Sequence, residues 1–257
     1  MPISKLSNPP LIEAIFELRW KLKEKQPGIY VDPLNKIFPG KFYSKIESEY
    51  PFYQELPASE MPDEISAYTI QHRFRKEENR WPLIQLGPGI VTLNNITNYE
   101  WSDFEQRIGM LIDSLLAAYP DKKSLNFNDI LLRYIDAYEF DFNKNNILEF
   151  LHQKMKIKNE ITEELVEGIS DLNKIPIVID LRYSFPILNP EGLLNVRFTR
   201  GDSNGKSSLI WETVVQLKGS RVPQNKGDIM DWISSAHGLT HKWFFNLIKG
   251  DLLEEFK

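Results

Sequence analysis

Two histidines, His237 and His241, lie four positions apart in a segment with helical apolar spacing near the end of the sequence. This spacing places both imidazoles on one face of a helix, where one metal ion is able to bind both. The residue after His237 is glycine, whereas zinc peptidases have glutamate there, and the spacing indicates no third ligand. We therefore interpret the pair as histidines packed in a helix interface, and we predict no metal and no cofactor.

A second candidate for chemistry is a set of carboxylates on two predicted strands. Asp136 alternates with Tyr134 and Tyr138, which places it on a mostly apolar face where a carboxylate needs a partner. General acid and base catalysis needs two carboxyl groups that converge on one pocket, and the sequence does not indicate such convergence. We therefore predict no catalytic residue. Asp136 remains notable, because the sequence does not show which residue would be its partner. The other acidic residues of these strands are Glu13, Glu17, Glu139 and Asp141.

The segment 201–207 reads Gly-Asp-Ser-Asn-Gly-Lys-Ser, which invites comparison with a phosphate-binding loop. Arg200 stands where that motif has its first glycine, so the spacing is one residue short. The segment also joins two predicted strands, whereas a phosphate-binding loop leads from a strand into a helix. Its turn-forming composition instead predicts a β-hairpin.

Basic residues at outward positions of the predicted strands form a third candidate site. Eight basic residues share these faces with six acidic residues, so the surplus is two positive charges. Nucleic-acid affinity comes chiefly from neutralised phosphates, and so small a surplus favours a mixed, solvated face. The candidate contacts to nucleic acid or another anion are Arg19, Lys21, Arg73, Arg75, Arg182 and Arg197.

The composition is that of a globular protein, with 257 residues, 42% hydrophobic, 26% charged, no cysteine and a formal net charge of -5. It excludes a disordered, collagen-like or coiled-coil chain, as well as disulfides, thiolate metal sites and a cysteine nucleophile. The negative charge argues against nucleic-acid binding through bulk electrostatics. Because there is neither a signal pattern nor a stretch of ~20 apolar residues, we expect a cytoplasmic protein with no membrane partner.

The elements that position these residues follow from apolar periodicity. Residues 11–23 alternate apolar and polar side chains, which predicts a long half-buried strand after Pro9 and Pro10. The order predicted for this half of the chain is βαβββα. Its later elements are a helix over 32–46 that begins at Asp32, strands over 65–76, 83–86 and 90–93, and a helix over 102–119.

The second half is predicted to repeat that order. Residues 129–142 alternate as a long strand, and Asn145 and Asn146 then open a helix. The later elements are strands over 177–185, 194–198 and 209–217 and a long helix over 226–249.

This repeated order predicts a duplication, with halves 1–122 and 123–257 forming one integrated unit. Hairpin-linked strands pair antiparallel, and each amphipathic helix needs an apolar sheet face to cover. We therefore predict an α+β protein with one curved antiparallel sheet and its helices on one face. By analogy of fold alone, it is similar to the saddle of TATA-binding-protein-like folds, which carries no function by itself.

The segment Asn8–Trp20 reads Asn-Pro-Pro-Leu-Ile-Glu-Ala-Ile-Phe-Glu-Leu-Arg-Trp and resembles the opening of a sporadically distributed family of uncharacterised bacterial proteins. Leu132–Asp136 is similar to a second motif of that family, which usually ends in asparagine, so the aspartate departs from it. Ala236-His237 followed by Trp243-Phe244 resembles the family's last helix. The resemblance spans most of the chain and names no activity. It implies a patchy distribution across genomes, as for proteins of mobile or defence loci.

Two functional hypotheses follow. The first is a non-enzymatic protein-interaction or regulatory module of a bacterial mobile or anti-phage defence locus, which binds a protein partner or forms a homodimer. The alternative is a nucleic-acid-binding protein that uses the basic side of the sheet. An enzyme whose site is assembled from distant strands is the third interpretation. The candidate interface anchors of the first hypothesis are Trp81, Trp101, Trp211 and Trp232.

Overall fold

A computed structural model describes residues 6–169, 172 and 175–257 of the chain. Its strands are β1 (Leu11–Trp20), β2 (Lys23–Gln26), β3 (Ile29–Val31), β4 (Phe52–Glu55), β5 (His72–Arg75), β6 (Leu83–Gly87), β7 (Ile90–Asn95), β8 (Phe127–Glu139), β9 (Asp180–Leu188), β10 (Glu191–Ser203) and β11 (Lys206–Lys218). Its α-helices are α1 (Phe38–Ile46), α2 (Trp101–Ala118), α3 (Ile147–Met155), α4 (Glu163–Val166), α5 (Lys226–Leu247) and α6 (Asp251–Phe256). Short 3-10 helices lie at Pro57–Glu60 and Asp63–Ile65.

Nine of these strands form one sheet, in which neighbouring strands are antiparallel. The order is β4-β5-β6-β7-β1-β8-β11-β10-β9, so β1 and β8 lie side by side and join the two halves of the chain. The strands β2 and β3 pair separately. The α+β class and the large antiparallel sheet are confirmed.

The two faces of the sheet differ because apolar and polar residues alternate along its strands. β1 turns Phe16, Leu18 and Trp20 to one face, where all three are fully buried. Helices α2 and α5 pack against β7, β8 and β11, and α1 packs against α2. We call this side the helix-covered face. The other side, the charged face, carries Glu17, Arg19, Arg133 and Glu212.

The predicted helix over 32–46 begins later, at Phe38. The reason lies in Asp32, whose carboxylate accepts hydrogen bonds from Trp20 Nε1 and from the Leu34 amide, each at 3.0 Å. The bond from the Leu34 amide closes a side-chain turn, which resembles a backbone turn. The helix therefore begins after this turn and not at Asp32. Pro39 lies in the first turn of α1, where its missing N–H costs nothing.

The predicted strand over 65–76 is shortened to β5, because only residues 72–75 of that range pair with β4 and β6. The predicted strand over 177–185 is observed as β9, which begins at Asp180. Strands β2, β3 and β4 were not predicted, since all residues of β2 and β4 are exposed and β3 has only three residues, too few to show a period. The hairpin in segment 201–207 is confirmed, and its turn has Asn204 and Gly205 at φ of 54° and 77°.

Candidate functional site

A cavity of about 630 Å³ opens on the helix-covered face, between the N-terminal segment 6–11, the loop 96–100, β8 and α5. Its volume falls within the roughly 300–1,000 Å³ of sites that bind small organic molecules. The lining is mostly apolar and aromatic, with a few polar groups. The residues that line it include Pro9, Pro10, Leu11, Tyr99, Trp101, Tyr134, Asp136, Thr213, His237, His241, Phe244 and Phe245.

Asp136 lies on β8 at the wall of this cavity, opposite Trp211 of β11, and only 3% of its surface is exposed. Its carboxyl group forms no hydrogen bond or ion pair with any residue that the structure describes. Burial raises the pKa of Asp136 to about 8, because the charged form is poorly solvated there. At neutral pH the group is therefore mostly a neutral carboxylic acid, which is able to donate one hydrogen bond and to accept others.

A short hydrogen-bond chain beside Asp136 links three elements. The Tyr134 hydroxyl lies 2.8 Å from the Tyr99 hydroxyl and 2.9 Å from His237 Nδ1. Burial raises the pKa of Tyr134 well above its ordinary value. Burial, helped by the charge of His241, lowers the pKa of His237 to about 4. The chain therefore consists of neutral groups at pH 7 and brings no positive charge into the cavity.

Aromatic rings form one wall of the cavity. Trp101, the first residue of α2, stacks on His237 with ring centroids 3.8 Å apart and planes inclined by 5°. His241 and Phe245 follow at successive turns of α5, and their rings are 4.7 Å apart. Phe244 and Phe245 pack edge to face at 5.1 Å. This wall offers flat apolar surfaces to a ligand.

The Asn-Pro-Pro segment at the start of the chain forms another wall of the cavity. The Asn8 amide donates to the carbonyl of Phe256 at 3.0 Å, and the Pro10 carbonyl accepts from the Ala137 amide at 2.9 Å. Ser7 Oγ donates to the carbonyl of Lys257. The segment is thereby held between β8 and the last helix, and its prolines and Leu11 face the cavity.

The two histidines contribute packing and hydrogen bonding to this site. Nδ1 of His237 is occupied by Tyr134, and its ring stacks on Trp101. The rings of His237 and His241 lie 5.7 Å apart. Within the described residues, no three His, Cys, Asp or Glu side chains lie close enough to hold a metal ion.

The candidate anion contacts lie on the charged face and around its edges, away from the cavity. Arg19 binds Glu17 at 2.6 Å. Arg182 and Arg197 both bind the carboxylate of Asp180, at 3.0 Å and 2.9 Å. These two guanidinium groups hold the pKa of Asp180 well below its usual range. The structure thus brings Arg182 and Arg197 together, but both of them bind the same carboxylate, that of Asp180.

Of the remaining candidates, Arg73 and Arg75 lie on β5, at the end of the sheet far from Arg182 and Arg197. Arg73 donates to Gln85 Oε1 at 3.0 Å, and Arg75 lies over the ring of Trp81 at 5.6 Å. Lys21 is exposed just beyond the end of β1. The six positions therefore form no single cluster.

Of the four tryptophans considered as interface anchors, Trp211 and Trp232 belong to the core. Trp232 Nε1 donates to the carbonyl of Glu191 at 3.0 Å, whereas Trp211 Nε1 is buried without a hydrogen-bond partner among the described residues. Trp101 forms part of the cavity wall. Trp81 lies near the surface beneath Arg75.

Sequence reasoning singled out Asp136 and the histidine pair separately but missed that they share one cavity. It also missed Tyr99, because loop residues show no periodicity that assigns them to a face. The alternation of Tyr134 with Asp136 was the available signal, since it placed both on one side of β8.

No known family fits the sequence, and no curated protein matches it significantly. Among the described residues, no helix is both long and apolar enough to cross a bilayer.

Proposed function

We propose that the protein is a regulatory module that binds a small organic molecule in this cavity through Asp136. The observation that carries the proposal is a buried carboxyl group that lines a cavity and has no partner among the described residues. Leaving a buried polar group unsatisfied costs about 1–3 kcal/mol. Such a group calls for an explanation, and a ligand that supplies the missing hydrogen bond provides one.

The surroundings of Asp136 support this function. Trp101, Phe244 and Phe245 provide apolar surface for the body of a ligand. Asp136 and Thr213 provide polar atoms that orient it. A mostly apolar cavity with a few convergent polar groups is the usual character of a small-molecule site.

The location suits regulation. The cavity lies where the N-terminal segment 6–11 meets α5, and ordinary backbone hydrogen bonds hold that segment to β8 and to Phe256. A ligand that contacts both the segment and α5 stabilises their packing and thereby the surface that the protein presents to a protein partner.

The experiment that tests this function is a ligand-detected NMR screen of a fragment library against the wild-type protein and two variants. The first variant is Asp136→Asn. The second is Asp129→Asn, a matched control on the charged face of β8, where Asp129 is buried but accepts a hydrogen bond from Gln216 at 2.8 Å. We expect fragments that bind the wild type and Asp129→Asn and are weakened by Asp136→Asn. The absence of binding, or binding that is indifferent to Asp136→Asn, would contradict the proposal.

Nucleic-acid binding by the basic side of the sheet is supported less well. Three of its candidate arginines, Arg19, Arg182 and Arg197, already bind carboxylates of the same face. Each pairing removes positive charge that a phosphate would need.

We also propose that halves 1–122 and 123–257 arose by duplication. The strand order supports this proposal, because β1-β7-β6-β5 and β8-β11-β10-β9 run outward from the junction in matching order.

A further inference from the structure

We propose that the ligand of this cavity is an organic cation, with an amine or amidine group that binds Asp136 and an aromatic or apolar body. The inference rests on the proposed function, that the cavity binds a small molecule, and adds the chemical class of that molecule.

The charges around the cavity favour a cation. Its lining includes the acidic residues Asp136 and Glu100, and none of the described lining residues is lysine or arginine. His237 is neutral at pH 7, as described above. A cation beside Asp136 restores the ionised carboxylate and forms a charge-assisted hydrogen bond with it. A carboxylate ligand would meet the acidic group of Asp136 without a lysine or arginine among the described lining residues.

The aromatic wall supports the same conclusion. The rings of Trp101, Tyr134 and Phe244 line the cavity together with Asp136. The face of an aromatic ring attracts a cation, most strongly where water is excluded. The same rings bury the apolar body of a ligand.

The size and composition of the cavity favour an organic cation over a metal ion. A volume of about 630 Å³ is far larger than a single ion requires. Within the described ranges, no group of three metal-binding side chains includes Asp136. An ammonium group needs only one carboxylate and leaves the remaining space for its body.

The test uses two matched sets of probes that differ only in the terminal group. The one-ring set is phenethylamine, 2-phenylethanol and 3-phenylpropanoate, and the two-ring set is tryptamine, tryptophol and indole-3-propanoate. Calorimetry at pH 7 compares their affinities for the wild type, Asp136→Asn and Asp129→Asn. We expect the amine to bind at least tenfold more tightly than the alcohol in the wild type and Asp129→Asn. In Asp136→Asn that ratio falls to about one.

A pH series on the wild type keeps the test decisive even if Asp136→Asn fails to fold. Because an amine binds the ionised carboxylate, its affinity rises about tenfold from pH 6 to pH 7, and protons are released on binding. The affinity of the alcohol does not rise. The N-terminal segment 6–11 and Thr213 of β11 add no titratable side chain to the wall, and the titratable residues that line the cavity with Asp136 are Tyr99, Glu100, Tyr134, His237 and His241.

The outcomes separate this inference from the function on which it rests. If alcohols or carboxylates bind as tightly as amines, the cavity is a ligand site but the ligand is not a cation. If no probe of either set and no library fragment binds, both proposals are wrong. Preferential binding of amines that survives Asp136→Asn unchanged also overturns the inference, because the charge would then be recognised elsewhere.

Discussion

The hydroxyl of Tyr134 lies 2.9 Å from Nδ1 of His237, and this contact ties the central strand β8 to helix α5. The same hydroxyl lies 2.8 Å from that of Tyr99, so one phenol holds together the strand, the helix and the loop that precedes α2. Asp136, two residues further along β8, faces the same cavity, and its carboxyl group has no such partner among the residues that the structure describes. The site therefore combines a fixed polar chain with one open polar group.

Replacing Tyr134 with phenylalanine is expected to lower the free energy of unfolding by about 1–3 kcal/mol, because Tyr99 and His237 both lose a buried hydrogen-bond partner. Urea denaturation measures this change. Tyr183→Phe is the control, since Tyr183 is a half-buried tyrosine of the same sheet face that packs against the core. Equal effects of the two substitutions would show that the chain of hydroxyls contributes nothing.

Asp136 is expected to make stability fall as the pH rises. Its pKa in the folded protein, about 8, exceeds the ordinary value of 3.8, so the folded state keeps a proton that the unfolded state releases. The stabilisation from this proton is complete below about pH 4 and is lost towards pH 8, at about 1.4 kcal/mol per pH unit. Urea denaturation at pH 5, 6 and 7 measures it.

The Asp136→Asn variant removes that dependence. As the pH rises, the free energy of unfolding of this variant should therefore increase relative to that of the wild type by about 1.4 kcal/mol per pH unit. Asp129→Asn controls for the loss of a buried aspartate on the same strand. A constant difference between Asp136→Asn and the wild type would mean that Asp136 is ionised in the folded protein.

His237 acts in the opposite direction at lower pH. Its folded pKa of about 4 lies below the ordinary 6.5, so stability is complete above about pH 6.5 and is lost as the pH falls towards 4. His237→Phe keeps a ring beside Trp101 and removes the titrating group. We expect this variant to lose less stability than the wild type between pH 6.5 and 4.5, with His152→Phe, at an exposed histidine of α3, as the control. Parallel losses in all three proteins would contradict the buried, neutral imidazole.

The charged face is expected to bind nucleic acid weakly. At about 150 mM salt, we expect single- and double-stranded oligonucleotides to bind with dissociation constants of about 10⁻⁶ M or weaker. The range typical of non-specific contacts is about 10⁻⁴ to 10⁻⁶ M. Fluorescence anisotropy over a salt series measures this affinity. Tighter, salt-sensitive binding that the double substitution Arg73→Glu and Arg75→Glu abolishes would restore the nucleic-acid hypothesis.

Strands such as β1 and β8 were predictable because burial of one face imposes a two-residue period that is visible in the sequence. Strand β4 was not, since all four of its residues are exposed and only pairing with β5 makes them a strand. The start of α1 was misplaced because Asp32 accepts from the Leu34 amide in a turn, and its other carboxylate oxygen is bound to Trp20 of another element. Contacts between distant elements leave no local pattern.

The candidate site shows the same division. Asp136 was identifiable because a carboxylate on an apolar face conflicts with its surroundings. The cavity was not, because it depends on Pro10 being held against Ala137 and on Trp101 being stacked on His237. These pairs are separated by more than 100 residues, and only the join between β1 and β8 and the packing of α2 beside α5 bring them together.

The most direct test of the account is the titration of the Asp136 carboxyl carbon by ¹³C NMR in the ligand-free protein, assigned with Asp136→Asn. The account predicts a midpoint near pH 8, where burial places the pKa, and a marked fall of that midpoint when tryptamine is saturating. A midpoint near pH 4 in the free protein would mean that the carboxyl is solvated or paired, and it would contradict the central claim of an open, buried acid in the cavity.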